Sequence, residues 1–165
     1  MAPSAEALIA GLNLEPHPEG GWYKELHRSA GRVHRSQDGE ERSAITLIAF
    51  LLRHGEISRW HRVAAADELW HHSAGAPLDL WRLPPEGGTA EKLSLGPLDV
   101  STPAATETTM PVQVIPAGWW QAARSRGPWS LVHCSVAPGF DFEDFRLLAD
   151  LPRAAHPSGA LMELL

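Results

Sequence analysis

Gly55-Glu56-Ile57-Ser58-Arg59-Trp60-His61-Arg62-Val63-Ala64-Ala65-Ala66-Asp67-Glu68-Leu69-Trp70-His71-His72-Ser73-Ala74-Gly75 is the stretch on which the reading of this chain turns. Two strand-length pieces, Ile57 to Val63 and Glu68 to Ser73, are joined by a run of small residues and bounded by glycine at both ends, the punctuation of antiparallel strands. Successive strand side chains point to opposite faces, so positions 61 and 63 share a face about 6.6 Å apart. Histidine at both would chelate one ion; here the pair is His61 and Val63. Glu68, Trp70 and His72 share one face of the following strand, expected to be the interior, and Leu69 and His71 take the other. Strict alternation also puts Arg59 on the face of His61, where a guanidinium can recognise an anionic group.

The same rhythm runs outward from this stretch. Downstream, Leu78 to Leu83, Glu91 to Leu95, Val112 to Ile115, Trp119 to Ala123 and Leu131 to Val136 read as strands, separated by Gly75 and Pro77, Pro84-Pro85, Gly96-Pro97 and Pro116 with Gly118. Upstream, Ser43 to Leu52 is an apolar, partly β-branched run suited to a strand covered on both sides, with a buried helix as the competing reading. Residues 29 to 42 read as a long surface loop, and Trp22 to His27 as a strand following a stiff turn at Pro16, Pro18, Gly20 and Gly21. Ser4 caps a short helix through Ala10 that Gly11 would end. After Pro138-Gly139, the segment Phe140 to Ala149 reads as a short helix or edge strand, followed by a partly mobile tail. No strand alternates with a long helix, so the pattern is an all-β sandwich or barrel.

Composition narrows the function classes. The chain has 165 residues, enough for one domain with its own core. Its single cysteine, Cys134, rules out an internal disulfide and reads as a small core residue. The opening Met1 to Glu6 lacks a basic segment followed by an apolar run, and no stretch approaches the roughly 20 apolar residues of a membrane span, so a cytoplasmic protein is expected. The net charge is -6 and the basic residues form no stripe, which argues against nucleic acid and for a small-molecule partner.

At this point the residues resemble a family. Gly55, His61, Glu68 and Gly75 are spaced like the first motif of the cupins, and Pro116-Ala117-Gly118-Trp119-Trp120-Gln121 is similar to the second. Five phrases resemble, in order, the small RmlC-like cupins of the cupin-5 (DUF985) group. They are Pro16 to Gly21, Trp60 to Val63, Asp67 to His71, the Pro116 to Gln121 turn, and Ala137 to Phe145. The resemblance implies a double-stranded β-helix (cupin or jelly-roll) barrel in one domain spanning 1–165, its core from about 20 to 148, with a pocket in the barrel mouth and a homodimeric assembly. It brings no settled activity. Where the family places metal ligands, Val63 and Gln121 replace two histidines. A metal is therefore disfavoured; a divalent ion, if bound, would rest on His61, Glu68 and Gln121.

The expected chemistry is proton transfer. His61 and Glu68 are the candidate catalytic pair of a metal-independent isomerase or epimerase acting on a small sugar-like or anionic substrate. Arg59, Trp70, His72, Gln121, Tyr23, His17 and Glu19 are candidate binding residues. A non-catalytic binding protein is the alternative, and a metal-dependent dioxygenase or decarboxylase the third reading. Beside each stands a plainer role: His61 and Glu68 as a satisfied relic of a metal site, Tyr23 as packing, and His17 with Glu19 as parts of a stiff turn.

Overall fold

The structure, a computed structural model, describes residues 3–99 and 108–165. Its elements are α1 (Ala5–Leu12), β1 (Glu15–Pro16), β2 (Trp22–Arg28), β3 (Arg32–His34), β4 (Glu41–Ser43), β5 (Thr46–Arg53), β6 (Ile57–Val63), β7 (Asp67–Gly75), β8 (Leu78–Leu83), β9 (Glu91–Leu95), β10 (Val112–Ile115), β11 (Trp120–Ser125), β12 (Trp129–Ala137) and β13 (Phe145–Leu147). They form a six-stranded sheet ordered β1-β2-β5-β12-β7-β10 and a five-stranded sheet ordered β13-β6-β11-β8-β9. The paired strands within both sheets are antiparallel. This is the jelly-roll barrel, and the apolar run at 46–53 is a strand, not a helix.

Three apolar layers follow from the alternation. Between the sheets, Phe50, Leu52, Trp70, Leu80, Ile115, Val132 and Cys134 fill the barrel. On the outer face of the five-stranded sheet, Trp60, Trp81 and Trp120 pack with Leu148 and Leu164. Helix α1 covers Ala49, Leu51 and Leu131 on the outer face of the other sheet. The two motifs meet at one barrel end: Gly118 N–H donates to the Val63 carbonyl at 3.0 Å, and Ala117 N–H to Asp67 Oδ1 at 2.8 Å.

Three local expectations are corrected. The Ser4 cap holds, its Oγ accepting from Ala7 N–H. The helix runs past Gly11, however, and ends at Asn13, which takes the left-handed conformation with φ 52°. Residues 29–42 contain a hairpin, β3–β4, whose turn is stiffened by Arg35 paired with Asp38. Beyond Phe140, a 3-10 turn at Phe142–Asp144 and an edge strand at Phe145–Leu147 both occur. The tail is docked: Leu164 is fully buried, and Trp60 Nε1–H donates to the Leu161 carbonyl at 3.0 Å. Its backbone runs through short 3-10 turns at Leu148–Asp150, Arg153–Ala155 and Met162–Leu164.

Candidate functional site

One barrel end holds a cavity of about 30 Å³, room for on the order of two waters, opening to solvent. His17, Glu19, His61 and Glu68 line it, with Tyr23, Glu25 and Phe140 among the other lining residues. The four ionisable groups His17, Glu19, His61 and Glu68 are buried. They come from two places far apart in the chain, the Pro16–Gly21 turn and strands β6 and β7.

The turn is fixed from both ends. His17 N–H donates to the Gly21 carbonyl and Gly20 N–H to the His17 carbonyl, each at 3.0 Å. Gly20 has φ 109°, and a Cβ there would run into the Ile57 carbonyl oxygen, so glycine is required. Arg59 closes the turn from β6: its backbone N–H donates to the Glu19 carbonyl at 2.8 Å and its Nη2–H to the Pro18 carbonyl at 2.7 Å.

This use of Arg59 corrects its expected place beside His61. On β6, two residues, Arg59 and Trp60, stand opposite Ala122 alone, because the register passes from Gln121↔His61 to Ala123↔Ser58. A bulge of this kind breaks the alternation. Ser58 and His61 share the interior, and Arg59 is thrown onto the turn.

Glu19 is the hub. Its Oε1 accepts from Ser58 Oγ–H at 2.8 Å, and its Oε2 lies 3.2 Å from His61 Nε2 and 3.3 Å from His17 Nδ1. His61 Nδ1 lies 2.7 Å from the Arg59 carbonyl, which only accepts, so Nδ1 carries the proton and Nε2 offers a lone pair. His17 Nδ1 accepts the Glu19 backbone N–H at 3.2 Å and likewise offers no proton. A carboxylate between two lone pairs would be repelled by both, so a proton resides on Glu19. The electrostatics agree. Burial, then the Glu68 carboxyl, push Glu19 well above the usual carboxylate range. Burial lowers His61 to about 4, and burial together with His61 lowers His17 to about 3.

Glu68 is held separately. Gln121 Nε2–H donates to its Oε2 at 2.6 Å, and Gln121 Oε1 in turn accepts from Trp70 Nε1–H at 2.8 Å. The Cys134 thiol borders the same cavity and also favours the charged carboxylate. Burial raises Glu68 to about 7 against the opposing pull of these two groups.

The expected His61–Glu68 pair is thus replaced by two units, Glu19 with His61 and Glu68 with Gln121. Tyr23 lines the mouth. Trp70 and Gln121 stand behind Glu68 and are not part of the lining. His72 shares the interior face but sits at the opposite end of β7, its Nε2 3.3 Å from the Ala76 carbonyl. Cys134, read as plain core, touches Glu68, and its burial pushes the thiol well up, away from nucleophilic use. Glu25 escaped notice, although it follows Tyr23 by two residues on one strand face.

The donors of a cupin metal set do not fit an ion here. Val63 is apolar, both amide atoms of Gln121 are engaged, and the His61 lone pair faces Glu19. Among the described residues no group of three or more His, Cys, Asp and Glu side chains is arranged to hold a metal.

Comparison with known proteins adds the family. A family model described as Cupin superfamily (DUF985) matches residues 6–148. A crystal structure of a Shewanella oneidensis protein is 36% identical, with 89% of this chain and 85% of that one covered at a TM-score of 0.76. A hypothetical protein from Leishmania major is 31% identical over 87% of this chain and 86% of its own, at 0.75. Oxalate decarboxylase from Bacillus subtilis shares the fold alone, at 14% identity, covering 84% of this chain and 32% of that one, at 0.57. No curated protein matches.

Proposed function

We propose that this chain, which belongs to the DUF985 family of the cupin superfamily, binds a small neutral polar molecule in its barrel mouth and moves a proton on it, as an isomerase or epimerase does. The observation that carries this reading is the convergence of two buried carboxyls and two buried imidazoles on one cavity. The groups are arranged as opposites. Glu19 holds its proton against His61, while Glu68, poised at about 7, is the group able to accept one near neutral pH. Pairs of titratable groups pushed apart in this way mark acid and base roles.

Among the described residues no Lys or Arg lines the cavity, and Arg59 is spent on the turn. The anionic substrate expected from Arg59 therefore has no cation to meet it, and a sugar-like or other neutral carbonyl compound fits better. The enclosed space admits only the reacting end, with the remainder lying towards Tyr23, Glu25 and Phe140.

The test is solvent deuterium incorporation into small carbonyl compounds incubated with the protein, followed by proton NMR. Exchange into carbon-bound positions that disappears in Glu68→Gln supports the reading. A ligand that binds without exchange would make the pocket a binding site only. Stoichiometric metal in the purified protein that is lost in His61→Ala would favour a metal-dependent enzyme instead.

A further inference from the structure

We infer that His17 is the electrophile of this site: its Nε2–H donates to the carbonyl oxygen of an α-hydroxycarbonyl substrate while Glu68 removes the proton from the adjacent carbon. The inference rests on the proton-transfer reading above and names the substrate class and the second reacting group.

The geometry separates the two histidines. His61 has both ring nitrogens occupied, Nδ1 by the Arg59 carbonyl and Nε2 by Glu19, so it offers a substrate nothing. His17 has only Nδ1 occupied, by the Glu19 N–H and carboxyl. Because Nδ1 accepts, the single proton of the neutral ring sits on Nε2. Among the described residues no partner meets that atom. The one fully enclosed side-chain polar atom without a partner among them is His156 Nδ1, so His17 Nε2 reaches open space, and the space its ring borders is the cavity shared with Glu68.

The ring is also held still. Tyr23 meets it edge-on at 4.5 Å between centroids, Phe145 at 5.8 Å and Phe50 at 6.0 Å. A neutral imidazole locked in one tautomer presents a single N–H donor, already oriented, to the oxygen on which charge develops. Its lowered proton affinity, from burial and then from His61, keeps it neutral across the working range.

The step balances without a co-reactant. Glu68 carboxylate takes the α-hydrogen as a proton, the C–H electron pair forms the carbon–carbon double bond, and the carbonyl π pair moves onto oxygen. The charge there is met by His17 Nε2–H. Return of the proton from Glu68 to carbon restores both enzyme groups. Glu19 and His61 are positioning residues: Glu19 supplies the N–H that fixes the His17 tautomer.

Two measurements test this on the full chain. The first is deuterium exchange into dihydroxyacetone, glyceraldehyde and hydroxyacetone by the wild type, Glu68→Gln, His17→Phe and His17→Gln, with melting curves showing each variant folded. The expected result is wild-type exchange, a fall of about 10²–10³-fold in His17→Phe, and partial return in His17→Gln, which keeps a donor. Wild-type exchange undiminished in His17→Phe would overturn the role of His17 and leave the proton-transfer reading standing. No wild-type exchange with any of the three would overturn both. The second is ¹⁵N NMR of the histidine rings, which is independent of activity and of variant folding. A protonated Nε2 and bare Nδ1 on His17 from pH 5 to 8 is expected; the opposite tautomer, or titration in that window, would overturn the inference.

Discussion

At the scale of single residues, the pocket sets two pairs of buried groups against each other. His17 and His61 stay neutral in the fold but take protons in the unfolded chain below their ordinary value of 6.5, so each withdraws stability as pH falls towards about 3 and 4. Glu19 and Glu68 keep protons that the unfolded chain gives up near 4.5, so each withdraws stability as pH rises above it, Glu68 until about 7. Between 4.5 and 6.5 the unfolded state holds two more histidine protons and two fewer carboxyl protons. The four contributions cancel there, and the pocket leaves stability flat. Glu68→Gln removes one contribution. Its stability relative to the wild type is expected to grow between pH 4.5 and 7, by on the order of 3 kcal/mol, and then level off. Urea unfolding at four pH values checks this, and a difference that does not change with pH would mean that Glu68 is not held as described.

At the scale of elements, the site depends on two clamps that no single strand supplies. The first is the Pro16–Gly21 turn. Gly20→Ala sets a methyl group against the Ile57 carbonyl in a conformation that disfavours side chains. It is expected to cost about 2–3 kcal/mol and to lower exchange activity in the surviving fold, because His17 and Glu19 move with the turn. The second clamp is Asp144, buried between Arg35 and Arg42. Arg35 Nη1–H donates to its Oδ2 at 2.8 Å, Arg42 Nε–H to the same oxygen at 2.9 Å, and Arg42 Nη2–H to Oδ1 at 3.0 Å. Burial alone would raise the Asp144 carboxyl, but the Arg42 and Arg35 guanidiniums hold it below the usual range. This ties hairpin β3–β4 to the segment carrying Phe145, which packs on the His17 and His61 rings at 5.8 and 5.6 Å. Asp144→Asn leaves two buried cations poorly matched and is expected to cost about 3 kcal/mol, measured by thermal or urea unfolding. The strands and the Pro16–Gly21 turn were legible because alternation and turn residues are local; the Asp144 clamp was not, because Arg35 and Asp144 are distant in the chain and only the fold makes them neighbours.

At the scale of the whole molecule, helix α1 covers Ala49, Leu51 and Leu131 on the outer face of the six-stranded sheet, and another part of that face is open among the described residues. Leu26, Leu47, His71, His133 and Ser135 line a shallow groove there, beside the exposed Val112 and Val114 of the edge strand β10. The homodimer expected from the sequence is proposed to form on this face, where an apolar strip meets its own copy across a two-fold axis. Light scattering is expected to give twice the chain mass, and Val114→Glu to give a monomer with an unchanged melting profile at low concentration; a monomeric wild type at micromolar concentration would reject the dimer. No helix among the described residues is long and apolar enough to cross a membrane.

The barrel and the inward direction of His61 and Glu68 were readable in the stretch from Gly55 to Gly75, because period-two alternation and glycine turns are properties of neighbouring residues. The partners of those two side chains were not. A bulge at Arg59–Trp60 reversed the face of Arg59, and a turn far upstream in the chain supplied Glu19 to His61, leaving Glu68 to Gln121. Acidity is set by burial and by the charge a few ångströms away, and both exist only once the sheets have closed around the pocket.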